Sequence, residues 1–77
     1  MRKDTLLLRR IAARIAGRPA EGLVPGDSLR GVLGLDTLDL LRLVAEAEDA
    51  YGVTLGDDTL AGLVSWGDLV AAFGIEG

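Results

Sequence analysis

Seventy-seven residues with a net charge of −4 and 49% hydrophobic content bound a single small domain, residues 1–77, around one core. Cysteine and histidine are both absent, which removes disulfides, thiolate and imidazole metal ligands and the commonest general base. Residues 1–35 hold seven Arg/Lys against three Asp/Glu, and residues 36–77 hold one against nine. That acidic half argues against a nucleic-acid duplex as partner and for basic protein surfaces.

Near the N-terminus, Leu6, Leu7 and Leu8 are followed by arginines at 9, 10 and 14. The apolar run is too short for a signal core or a membrane span, and a cytoplasmic location is expected. Asp4 or Thr5 can cap a helix over residues 5–16, with Gly17 just past its end. At 100° per residue, Leu8, Ile11, Ala12 and Ile15 share one face. Arg9, Arg10 and Arg14 point away from it, and this basic arc is expected to be a solvated surface.

Residues 18–35 lack any sustained period and contain Pro19, Gly22, Pro25, Gly26, Gly31 and Gly34. A connection of that length in a small domain needs order of its own. Leu23, Val24, Leu29, Val32, Leu33 and Leu35 are expected to pack it along the core.

The second helix is the clearest element. Asp36 is a good N-cap, Asp39 stands at the reciprocal capping-box position, and Gly52 ends the run after Tyr51. Leu40, Leu43, Val44, Ala47 and Tyr51 cluster as the core face. Leu38, Leu41 and Ala45 fall on the opposite side beside Arg42, Glu48 and Asp49, an apolar strip edged by charge of the kind that docks a partner. Asp57 or Asp58 then starts a short third helix with Leu60, Leu63 and Val64 on one face. Ser65-Trp66-Gly67-Asp68 reads as a capping box opening a fourth, whose apolar side is Trp66, Leu69, Val70 and Phe73. The expected fold is all-α, four helices with a long first loop and a short third helix.

Catalytic patterns are thin: no Ser/His or Cys/His pair, no phosphate cradle and no metal-ligand spacing. The chain is expected to be a carrier or binding module, with no catalytic residue and no metal. The segment Asp27-Ser28-Leu29-Arg30-Gly31-Val32-Leu33-Gly34-Leu35-Asp36-Thr37-Leu38-Asp39 resembles the signature of acyl carrier proteins, in which a loop of the form [DT]-S-[LF]-x-x-x-L-G-x-D leads into D-S-L at the start of the second helix. Leu40 to Val44, Glu48 to Val53, and Ser65 to Val70 are similar to later parts of the same family, so the likeness runs from about residue 5 to 73.

The resemblance implies a four-helix acyl-carrier-like bundle carrying 4'-phosphopantetheine, whose thiol holds an acyl, polyketide or aminoacyl group as a thioester. It implies attachment at Thr37, flanked by Asp36 and Leu38. It also implies docking of a phosphopantetheinyl transferase and of assembly enzymes on Asp39, Leu41, Arg42, Ala45, Glu48 and Asp49; the chain itself is expected to be a monomer. Two departures stand out. The family has serine where this chain has Thr37, whose β-methyl crowds the hydroxyl; and Arg42 replaces an acidic residue common in the family. Two readings of Thr37 therefore stay open: a carrier that is loaded there, or a carrier-like interaction protein that acts by docking alone. The literal Asp27-Ser28-Leu29 string is expected to be a turn rather than an attachment site, because Gly31 and Gly34 follow it.

Overall fold

Three of the four helices among the described residues begin at a side-chain cap supplied by the sequence. In the computed structural model, which describes residues 4–75, α1 runs Thr5–Ala16, α2 Thr37–Tyr51, α3 Asp57–Ala61 and α4 Trp66–Ala72. Asp4 Oδ1 accepts the Leu6 N–H at 3.0 Å to open α1, and the Gly17 N–H closes it on the Ala13 carbonyl at 2.8 Å. Asp36 Oδ1 accepts the Asp39 N–H at 2.8 Å to open α2. Ser65 and Asp68 form a complete capping box at α4. At α3 the N-cap is Gly56, which has no side chain to offer, and Asp57 and Asp58 occupy the first turn, where acidic groups complement the helix dipole.

The amphipathic faces meet in one core. Leu8, Ile11 and Ala12 of α1 pack with Leu43, Val44 and Ala47 of α2, and Trp66, Leu69 and Phe73 close the layer from the C-terminal side. Each fully buried leucine or aromatic there contributes about 1.5–3 kcal/mol of transfer free energy. Ile15, Leu40, Tyr51 and Val70 lie at the margin of this core, partly buried. Among the described residues no helix is long and apolar enough to cross a membrane.

Tyr51 ties the two long helices together. Its hydroxyl accepts the Leu8 N–H and donates to the Asp4 carbonyl, both at 2.9 Å, so it sits inside the first turn of α1. Burial raises the phenol pKa above its ordinary value, outweighing the Leu8 N–H, which acts the other way.

The connection between α1 and α2 is an ordered part of the core: Ala20, Leu23, Leu29, Leu33 and Leu35 are buried. Val24 and Val32, expected to pack with them, are instead 56% and 44% exposed. Both sit at chain reversals. Val24 exchanges bonds with Asp27 across a turn, and the Val32 N–H closes on the Ser28 carbonyl at 2.8 Å, which turns each side chain outward. Val64 is also exposed, because α3 stops at Ala61, before the helical phase reaches it.

Arg9 departs furthest from expectation. Its Nη1 donates to the carbonyls of Ala20, Glu21 and Leu23 at 2.7, 3.1 and 3.1 Å, its Nε to Thr5 Oγ1 at 3.0 Å, and its guanidinium lies 5.1 Å from the Trp66 ring. It is a strut that satisfies loop carbonyls rather than a solvated charge. Arg14 pairs with Glu46 at 2.6 Å on the surface.

Candidate functional site at the start of α2

The long connection is stitched to the stretch between α3 and α4 before it reaches α2. Ser28 and Ser65 form an antiparallel bridge, with the Leu29 N–H on the Val64 carbonyl at 2.9 Å and the Trp66 N–H on the Asp27 carbonyl at 2.8 Å. Gly67 follows, so close to Pro25 that a Cβ would fall 2.9 Å from the Pro25 carbonyl oxygen. Ser28 Oγ accepts the Gly31 N–H at 3.0 Å, the turn-forming use expected of it. Gly34 then takes φ +69°, a left-handed conformation that a side chain would strain, and the chain swings into Asp36.

Thr37 is the first residue of α2 and is exposed. Asp36 holds the N-cap with its carboxylate turned onto the Asp39 N–H. The Thr37 and Leu38 N–H groups donate to no such acceptor among the described residues. A group joined to the Thr37 hydroxyl therefore starts from the positive end of a fifteen-residue helix, beside free N–H donors. Arg30 Nη2 donates to Thr37 Oγ1 at 2.9 Å. Sequence pattern gave no warning of that contact, because Arg30 lies in the segment without periodicity. Its only signal was being the lone cation between Asp27 and Asp39.

The other residues singled out on α2 are distributed along its outer side. Leu38 and Leu41 are 57% and 51% exposed, and Ala45, Arg42 and Asp49 are exposed with them. Asp39 is half-buried. Glu48 is half-buried too, and its Oε2 accepts the Leu55 N–H at 2.6 Å, which fastens the connection between α2 and α3. Among the described residues no group of carboxylates is arranged to hold a metal ion. A cleft of about 340 Å³ lies between α1 and α4, lined by Thr5, Arg9, Pro25, Trp66 and Val70; Thr37 takes no part in it.

The sequence profile described as the phosphopantetheine attachment site matches residues 7–73. The chain is 34% identical over 64 residues to the meromycolate extension acyl carrier protein of Mycolicibacterium smegmatis, covering 83% of this chain and 65% of that one. It is 34% identical over 61 residues to the protein of the same name from Mycobacterium tuberculosis, covering 79% and 53%. It is also 33% identical over 63 residues to an acyl carrier protein of Beutenbergia cavernae, covering 82% and 77%. The chain thus spans between about half and two thirds of the length of the two mycobacterial relatives. The profile's match over residues 7–73 and these identities establish, for a chain whose described residues form four helices, that the protein belongs to the acyl carrier protein family.

Proposed function

We propose that the chain is a single-domain carrier whose Thr37 bears 4'-phosphopantetheine. The observation that carries this is the exposed Thr37 hydroxyl at the N-terminus of α2, the position that the resemblance to the family's D-S-L signature implies for attachment. The group fits the residues present: Thr37 Oγ1 is open to solvent, and the helix end and Arg30 both favour an anion beside it. When bound, the group supplies a terminal thiol that holds an acyl chain as a thioester. Attachment joins Thr37 Oγ1 to the pantetheine-side phosphorus of coenzyme A, breaks the pyrophosphate P–O bond and releases adenosine 3',5'-bisphosphate. The hydroxyl proton leaves to a base of the transferase.

The relatives' names favour an extending acyl chain as cargo over an aminoacyl group. Leu38, Leu41 and Ala45 form the surface on which we expect the transferase and assembly enzymes to dock. Asp39, Glu48 and Asp49 supply negative charge around it, and Arg42 a positive one that narrows the choice of partner. We read the carrier as a cytoplasmic monomer.

The decisive experiment is intact mass after incubation with coenzyme A and a broad-specificity phosphopantetheinyl transferase. Wild type is expected to gain one phosphopantetheine slowly, and Thr37→Ser quickly, because the β-methyl crowds the attacking oxygen in the transition state. Failure of both proteins to load with several transferases would favour a protein that acts by docking alone. Modification at Ser28 would overturn the assignment of the site.

A further inference from the structure

Arg30 lies seven residues ahead of Thr37, and the backbone on either side of it is pinned. The Val32 N–H closes on the Ser28 carbonyl at 2.8 Å, the Gly31 N–H donates to Ser28 Oγ at 3.0 Å, and Leu29, 1% exposed, gives its N–H to Val64. A turn held at those points directs its middle side chain one way, and that direction ends 2.9 Å from Thr37 Oγ1. Among the described residues Arg30 donates to Thr37 alone, and the ion pair recorded is Arg14–Glu46. A full positive charge is therefore held against a neutral hydroxyl. Bracing a threonine needs only a donor. A guanidinium adds charge and a planar fork matched to phosphate oxygens.

We propose that Arg30 is the resident counter-ion of the phosphodiester at position 37, bonding its non-bridging oxygens once the prosthetic group is attached. This rests on Thr37 being the attachment residue. The non-bridging oxygens of a phosphodiester lie two bonds from its ester oxygen. A guanidinium already bonded to Oγ1 therefore reaches them by side-chain rotation, with the loop unmoved. The need for a cation is electrostatic. The Asp36 and Asp39 carboxylates flank the attachment point, so a third negative charge would be repelled there without compensation. The helix end supplies a fraction of that compensation and Arg30 the larger, salt-sensitive part.

The test compares loaded and unloaded forms of wild type, Arg30→Gln and Arg30→Lys, each also with Thr37→Ser, by thermal melting and by phosphorus NMR of the phosphodiester. Loading is expected to raise the melting temperature more in wild type than in Arg30→Gln, by on the order of 2–6 °C at low salt. That difference fades toward about 1 M salt, with Arg30→Lys intermediate because it keeps the charge and loses the fork. The phosphorus resonance of wild type moves with added salt, and that of Arg30→Gln stays still. Equal gains on loading and identical phosphorus behaviour in wild type and Arg30→Gln would overturn the role of Arg30 and leave attachment at Thr37 standing. Absence of loading in both wild type and Thr37→Ser would overturn the attachment itself, and this role with it.

Discussion

The starts of α2 and α4 obey the same local rule and come to opposite ends. Asp36 and Ser65 each accept the N–H three residues on, at 2.8 and 3.1 Å. At α4 the box is complete: Asp68 Oδ2 returns bonds from the Ser65 and Val64 N–H groups at 3.0 and 3.1 Å. The first helical residue there is Trp66, 1% exposed under the Arg9 guanidinium, and Gly67 is pressed onto Pro25. At α2 the first helical residues are Thr37 and Leu38, both in solvent. The cap decides that a helix begins. The two residues after it decide whether that beginning is a buried joint or an open end.

The strongest way to break the contrast is to open the closed end. Trp66→Ala removes the largest buried side chain, together with the surface on which Arg9 rests, and is expected to cost about 3–5 kcal/mol, a large share of the total for a domain of this size. Chemical denaturation measures it, and a loss below ~1 kcal/mol would mean that the α4 end is no joint. Ser65→Ala comes next, at about 0.5–2 kcal/mol for a lost cap. Acid sharpens the same point. The Ser65 and Val64 N–H groups hold the Asp68 carboxyl below the ordinary carboxylate range. Its contribution is therefore fully present above that range and is lost as pH falls through the lowered value. Asp68→Asn is expected to flatten this part of the acid limb in melts followed by circular dichroism. The smallest effect is expected at the open end. Leu41→Asp should change stability by no more than about 0.5 kcal/mol while weakening binding to a cognate enzyme in a titration. A large loss of stability would make Leu41 part of the core.

The same contrast shows what could be read before any coordinates. The bounds of α1 and α2 follow from Asp4, Gly17, Asp36 and Gly52, and the α4 box from Ser65 and Asp68. These signals are local, involving residues within one turn. The core face of α2 was legible from periodicity because a helix repeats its orientation. The long connection repeats nothing, so hydrophobicity alone points Val24 and Val32 inward, whereas turn geometry sends them outward. Arg9 escapes its helical projection for a related reason. Its own helix does place it off the apolar face, but the loop folds back over it and presents carbonyls that no helical projection contains. That α2 opens at Thr37 is legible from Asp36. Arg30 is not, since its contact depends on how the turn at Ser28 is folded.

The Tyr51 hydroxyl has a consequence for how the molecule breathes. In the other helices the N-cap carbonyl takes its first-turn N–H directly: Asp36 from Leu40, Gly56 from Leu60, Ser65 from Leu69. In α1 a phenol from the last residue of α2 stands between Asp4 and Leu8. Fraying at the front of α1 is thereby linked to the far end of the helix that begins at Thr37. The Leu8 amide is expected to exchange with solvent only when Tyr51 withdraws, so that its hydrogen-exchange rate would report the seating of α2 from a position forty-three residues away along the chain.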